Sequence, residues 1–262
     1  MNTLKNKVAL VTGSTSGIGL GIARCLAEAG TDVMLNGFGD ARSVESQRAE
    51  LAAEFGCRVA YSAANMANAA EVRELIAQCT RELGQVDILV NNAGIQFTSP
   101  IDEFPDEKWD AIIATNLSSN FHSIKAVLPQ MKERNWGRIV NIASAHALVA
   151  SVTKSAYAAA KHGVIGLTKV VALETARTGV TCNAICPGMI LTPLVQKQID
   201  DWAERDGISK ERAQELMIAE KIPTGQFQTA AQIGALVVFL CSEAAGQVRG
   251  AAMPVDGGWT VQ

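Results

Sequence analysis

The sequence predicts a doubly wound α/β domain, a parallel sheet of about seven strands with helices on both faces. Two observations predict it. Short apolar runs alternate with segments of helical period along the chain, as in β–α–β units whose strands are buried on both sides. The 262 residues, 48% of them hydrophobic, suffice for one large core, and no Pro/Gly/Ser linker divides them. A single domain spanning 1–262 is therefore expected.

The elements follow in order. Val8–Val11 reads as a buried strand. A helix comes next, with Ile18, Ile22, Cys25, Leu26 and Ala29 on one face and Gly30 as its stop. Strands are expected at Asp32–Asn36, 58–62, Ile88–Asn91, 138–142 and 180–185. Helical patterns lie between them, for example Val72, Leu75, Ile76, Cys79 and Leu83, or the long pattern 109–131. The last strand, 251–255, contains Pro254, which cannot donate to a ladder and so belongs at the sheet edge. Residues 194–222 break the alternation with a run of charges before a helix starting near Thr229. They read either as a solvated hairpin or, given their place after the sixth strand, as a lid over the ligand crevice. Position in the chain favours the lid.

Composition removes several classes of function. A net charge of −3 offers no basic excess for nucleic acid or an anionic membrane. The six cysteines (Cys25, Cys57, Cys79, Cys182, Cys186, Cys241) lack the spacing of a zinc or redox site and read as reduced core thiols, so no metal is expected. Lys5 and Lys7 precede apolar residues, but Thr12 and Gly13 break that run well short of the roughly 7–15 residues of a secretory core. No run has the length of a membrane span. A cytoplasmic location follows as the expectation.

Two motifs carry chemistry. Thr12-Gly13-Ser14-Thr15-Ser16-Gly17-Ile18-Gly19 joins the first strand to the first helix. Glycines there allow a pyrophosphate close to the backbone, and the helix start offers free N–H groups. A lone glycine cluster is an ordinary turn; the strand–turn–helix context makes it a dinucleotide cradle. After the second strand, Asn36-Gly37-Phe38-Gly39-Asp40 holds no Lys or Arg for the 2′-phosphate of NADP, which favours NAD. The second motif, Tyr157-Ala158-Ala159-Ala160-Lys161, sets a phenol and an ammonium one helical turn apart. A phenol of pKa about 10 is a poor base until a nearby cation favours its ionised form. By itself the pair would be a solvent-facing accident, but the segment is Ala-rich, as close packing requires, and Tyr157 is one of only two tyrosines. Ser144, closing the fifth strand, and Asn91-Asn92-Ala93-Gly94, closing the fourth, lie where strand ends face the crevice.

Taken in this order with Pro187-Gly188 and Thr192, these motifs resemble the short-chain dehydrogenase/reductase family over essentially the whole chain. The resemblance implies a Rossmann-type fold and a catalytic tetrad of Asn116, Ser144, Tyr157 and Lys161. Tyr157 would exchange the hydroxyl proton and Ser144 would hold the reacting oxygen. Lys161 would bind the nicotinamide ribose and lower the Tyr157 pKa, and Asn116 would position a relay water. The cofactor cradle would run through Gly13, Thr15, Ser16, Gly17, Ile18 and Gly19, then Phe38, Asn65 and Met66. It would continue through Asn92, Ala93 and Gly94 and close with Tyr157, Lys161, Pro187, Gly188, Ile190 and Thr192. Asn65 stands where an Asp usually meets the adenine amino group. A homotetramer is the family's usual assembly.

Within the family the chain is most similar to the bacterial D-3-hydroxybutyrate dehydrogenases, through Leu35–Gly39, Asn91–Gln96, Ile142–His146, Thr192–Ile199 and Asp256–Thr260. The similarity implies a substrate carboxylate held by Gln96, His146, Lys154 and Gln198, with Ser144, Tyr157, Met189 and Trp259 completing the pocket. Such a set makes physical sense, because a carboxylate removed from water needs a charge and amide donors. The chain departs from these relatives at Met189, where they carry Trp, and Phe97, where they carry His. A flexible thioether leaves a less defined wall, with room for a slightly longer hydroxy acid. The expected reaction is the NAD-dependent, reversible oxidation of D-3-hydroxybutyrate to acetoacetate. The alternatives are another short-chain reductase, acting on a longer 3-hydroxy acid, a 3-oxoacyl thioester or a sugar, and, more remotely, a non-catalytic NAD-binding sensor, which would have lost a tetrad member.

Overall fold

The computed structural model describes residues 4–261. Seven parallel strands, β1 (Val8–Val11), β2 (Asp32–Asn36), β3 (Val59–Ser62), β4 (Ile88–Asn91), β5 (Gly137–Ile142), β6 (Val180–Pro187) and β7 (Ala252–Val255), form one sheet. Their order is β3-β2-β1-β4-β5-β6-β7. β7 is an edge strand, as Pro254 requires, and Pro254 pairs in register with Cys186. Chain direction away from the centre reverses between β1 and β4, so a crevice opens beyond their carboxyl ends.

Alternation along each strand builds two cores. Ala9 and Val11, Val33 and Leu35, and Val140 and Ile142 face one side. There α1 (Gly17–Glu28), α2 (Ala41–Phe55) and α9 (Ala230–Cys241) cover them. Val8, Leu10, Met34, Leu89 and Ile139 face the other, beneath α3 (Ala69–Leu83), α5 (Ser119–Glu133) and α6 (Ser155–Glu174). The buried stripe of α1 is Ile22, Ala23, Leu26 and Ala27, with Gly30 beyond its end at φ +98°. Cys25 is half-buried against α9, where a Cβ on Gly234 would meet its sulfur at 2.5 Å.

One departure from the sequence reading has a physical cause. The pattern 109–131 is not one helix. It divides into α4 (Asp106–Ile113), a π-helical turn Ala114–Ser118 and α5. The wide turn slips the buried stripe by only about one residue, too little for periodicity alone to show. The charged segment 194–222 is a hairpin of α7 (Pro193–Asp206) and α8 (Lys210–Lys221), turned by Gly207 at φ +63°. It carries its own small core around Ile199, Ala203 and Ala213, separate from the two main ones. No helix among the described residues is long and apolar enough to cross a membrane.

Candidate active site

The glycine turn is held from behind by its neighbours. Thr12 Oγ1 accepts from the backbone N–H groups of Asn92 and Ala93 at 2.9 and 3.0 Å. The Asn92 amide donates in return to the carbonyls of Thr12 and Gly13, both at 2.9 Å. Asn36, at the end of β2, accepts from Gly13 N at 3.2 Å and donates to the carbonyls of Ser62 and Ala64. The turn has no room for side chains: a Cβ on Gly13, itself at φ +63°, would lie 2.8 Å from Ala93 Cα, and one on Gly19 would overlap the Gly13 carbonyl. This close-approach cradle at the start of α1 fits a pyrophosphate.

The cradle opens into a cavity of about 720 Å³ that runs to Tyr157. Of the cofactor residues expected from sequence, all but Ile190 line it. Ile190 is 4% exposed and packs into the core beside α9; it borders a smaller cavity behind Gly17 and Thr192. Asn65 lies at the far end, where its Oδ1 already accepts from Ala67 N at 3.0 Å and keeps one lone pair for a ligand. Phe38 is largely exposed at the rim, and Thr15 Oγ1 donates to its carbonyl at 2.9 Å. Thr192 caps α7 by accepting from Val195 N. Asn36, Ala64, Ala67, Ala111 and Thr115 also line the cavity, beyond the residues expected from sequence. Small residues at strand and helix ends leave no chemical signature, and a strand-end Asn reads as an ordinary turn residue.

Ser144, Tyr157 and Lys161 converge at the closed end. Tyr157 stands in the first turn of α6 and Lys161 one turn on. Lys161 is 4% exposed; its Nζ donates to the Ile142 carbonyl at 2.7 Å and lies 5.6 Å from the Tyr157 ring centroid. Burial pushes the Lys161 ammonium down to about 8 and holds the Tyr157 phenol above its ordinary value. The hydrogen bond to Ser144 works against the second shift. Ser144 Oγ also accepts from His146 N at 3.1 Å, which fixes the hydroxyl at the head of the 3₁₀ turn Ala145–Ala147.

Asn116 sits in the π-helical turn and is fully buried. Its amide pairs with the Ile95 backbone, accepting from N and donating to O, both at 2.9 Å. One lone pair and one amide hydrogen remain for the expected relay water.

Of the expected substrate residues, Gln96 lines the cavity. His146 lies beside Tyr157, its ring edge-to-face at 6.1 Å, and meets Lys154 Nζ through Nε2 at 3.1 Å. Trp259 packs edge-to-face on the same imidazole at 5.0 Å. Like His146, Lys154 and Trp259, Gln198 and Met189 are not among the cavity-lining residues: Gln198 is exposed on α7, and Met189 is half-buried, its carbonyl accepting from Gln228 N. Lys221, at the end of α8, reads in sequence as part of a solvated charge run. Its Nζ lies 5.5 Å from the Trp259 ring centroid and adds positive potential at His146.

Burial, then the charges of Lys154, Lys221 and His162, push His146 down to about 4. The folded state therefore binds this proton less readily than the unfolded chain, whose His titrates near 6.5. The contribution to stability is full above about 6.5 and is lost as pH falls toward 4. Thermal unfolding of the wild type between those limits is expected to fall more steeply with acidification than that of His146→Gln; equal slopes would contradict the burial of a neutral imidazole.

Comparison with known proteins agrees with this geometry. The short chain dehydrogenase family model matches residues 7–203. The chain is 57% identical over 259 residues to D-beta-hydroxybutyrate dehydrogenase of Cupriavidus necator, covering 99% of this chain and 100% of the relative. It is 50% identical to the enzyme of the same name from Rhizobium meliloti, covering 98% and 99%. Among solved structures it is similar to a single-site variant of the actinorhodin polyketide ketoreductase with NADPH, with a TM-score of 0.91 and 37% identity over 98% of both chains.

Proposed function

Because the chain belongs to the short-chain dehydrogenase family and is an oxidoreductase, we propose that it oxidises D-3-hydroxybutyrate to acetoacetate, reversibly and with NAD. The observation that carries this reading is the Lys154–His146 pair beside Tyr157. A cation and an imidazole next to the base give a short hydroxy acid its counter-charge, which a sugar does not need and an acyl thioester does not carry. The two relatives above bear the corresponding name over nearly their full lengths.

Gly13, Gly17, Gly19 and the α1 N-terminus would hold the pyrophosphate, and Lys161 the nicotinamide ribose. The bound cofactor would supply a hydride acceptor for C3 of the hydroxy acid. Tyr157 takes the hydroxyl proton in its ionised form, which the Lys161 ammonium 5.6 Å from its ring centroid favours, and Ser144 holds the reacting oxygen against it. Asn116 braces the Ile95 loop at the cavity wall and keeps capacity for a relay water. Lys154 holds the carboxylate, its ammonium oriented by donation to His146 Nε2, with Gln96 as a further donor and Trp259 as the wall behind the imidazole.

The preference for NAD rests on the ribose end. Among the described lining residues the one cation is Lys161, at the opposite end of the cavity. Asn36 is occupied by backbone partners, and the Asp40 carboxylate caps α2. The hairpin α7–α8, with its separate core, acts as the lid, and closure would bring Gln198 toward the carboxylate. Val170 and Leu173, exposed on α6, suit burial in a homotetramer.

One assay tests the assignment: reduced-cofactor formation from each enantiomer of 3-hydroxybutyrate, with NAD and with NADP. Turnover of the D enantiomer with NAD is expected to dominate. Activity confined to NADP, or to longer hydroxy acids, sugars or acyl thioesters, would reject it.

A further inference from the structure

A chain of buried polar side chains crosses the middle of the molecule beneath the active site. Ser123 Oγ on α5 donates to Asn91 Oδ1 on β4 at 2.7 Å. Asn91 Nδ2 donates to Asn141 Oδ1 on β5 at 2.8 Å. Asn141 Nδ2 donates to Thr168 Oγ1 on α6 at 2.9 Å, and Thr168 donates to the Val164 carbonyl at 2.7 Å. All four side chains are at most 2% exposed. The Thr168 proton goes to Val164, so Asn141 Nδ2 must be the donor toward it, and both amide orientations follow; Ser123 Oγ also lies 3.0 Å from the Asn120 carbonyl and Asn141 Nδ2 3.7 Å from Cys182 Sγ.

This chain ends on the helix that carries Tyr157 and Lys161. Residues 161, 164, 165 and 168 share one face of α6, turned to the sheet. The rest of that buried face is smooth: Ala156, Ala160 and Ala172 among Val164, Ile165 and Val171. Apolar packing of this kind resists separation but discriminates weakly between axial positions, and a slip of one residue would carry the phenol about 1.5 Å along the axis. Two polar attachments remove that freedom. Lys161 meets the carbonyl of Ile142, and two turns further along Thr168 meets the side chain of Asn141, the adjacent residue of β5.

We infer that Ser123, Asn91, Asn141 and Thr168 are positioning residues, a hydrogen-bonded gauge that sets where α6 lies on the sheet and so where Tyr157 and Lys161 meet the substrate. None of the four lines the cavity. Apolar residues of the same shape could fill this space at little cost in stability, so placement is what the polar chain adds.

The inference rests on Tyr157 and Lys161 being the catalytic pair. The decisive variant is Thr168→Val, which keeps the shape and removes the hydroxyl. Its kcat is expected to fall about 10- to 100-fold, the scale of an ångström's misplacement. KM values and NADH affinity, read by fluorescence, should stay within about threefold of wild type, and Thr168→Ser should restore kcat to within about twofold. A folded Thr168→Val enzyme with wild-type kcat overturns the inference, as does a loss shared equally by Thr168→Ser. Should Thr168→Val not fold, Ser123→Ala at the far end of the chain is expected to lower kcat with KM unchanged, and wild-type kcat there overturns it. An active Tyr157→Phe enzyme would instead show that the catalytic pair was misassigned, so the two failures are distinguishable.

Discussion

Replacement of Tyr157 by Phe is expected to lower kcat by a factor on the order of 10²–10⁴, the range of a lost general acid/base, while NADH still binds. The substitution removes one oxygen from a ring held by α6, and the glycine cradle is built from other elements. Without the phenolic oxygen, no other group among the described lining residues beside Ser144 and Lys161 is placed to exchange the hydroxyl proton. Stopped-flow measurement of hydride transfer, with fluorescence titration of NADH on the same variant, separates chemistry from binding. Near-normal turnover would refute the role given to Tyr157.

Replacement of Lys154 by Met is expected to lower kcat/KM for the hydroxy acid by roughly 30- to 150-fold, from about 2–3 kcal/mol for a half-buried charge losing its partner. That is the lower part of the range for buried pairs, because Lys154 keeps partial contact with solvent. The loss should fall mainly on KM, since the anion is bound in ground state and transition state alike. The methyl ester of 3-hydroxybutyrate, which lacks the charge, should lose little, so discrimination between acid and ester collapses. An unchanged KM for the acid would remove Lys154 from the carboxylate site.

Much of this was readable from the chain because its causes are local. Val8–Val11 and Ile88–Asn91 are apolar runs bounded by turn residues, and a parallel strand buried on both faces needs nothing more. Gly13, Gly17 and Gly19 mark the cradle because only they permit its backbone. What escaped depends on distant partners. Asn36 carries no mark that it will bond Gly13, Ser62 and Ala64 at once. The π-helical turn at Asn116 slips the apolar period by only about one residue and so is silent. Ile199, Ala203 and Ala213 are diluted by charges in sequence and form a core only when α7 meets α8. Lys221 reads as one more surface charge until Trp259 and His146 come beside it. Ile190, assigned to the cofactor by resemblance, obeys its own apolarity and packs inward.

Lys154 immediately precedes α6, as its capping residue, and Tyr157 lies three residues on, in the first turn of the same helix. The proposed anchor and the proposed base thus belong to one rigid body rather than to two elements that move against each other. Such an arrangement works as a ruler. Its two marks stand a fixed distance apart, and a molecule is measured by whether its hydroxyl meets the second mark while its carboxylate rests on the first. On the proposed roles a 2-hydroxy acid would fall short and a 4-hydroxy acid would overshoot. The scale is engraved on one helix.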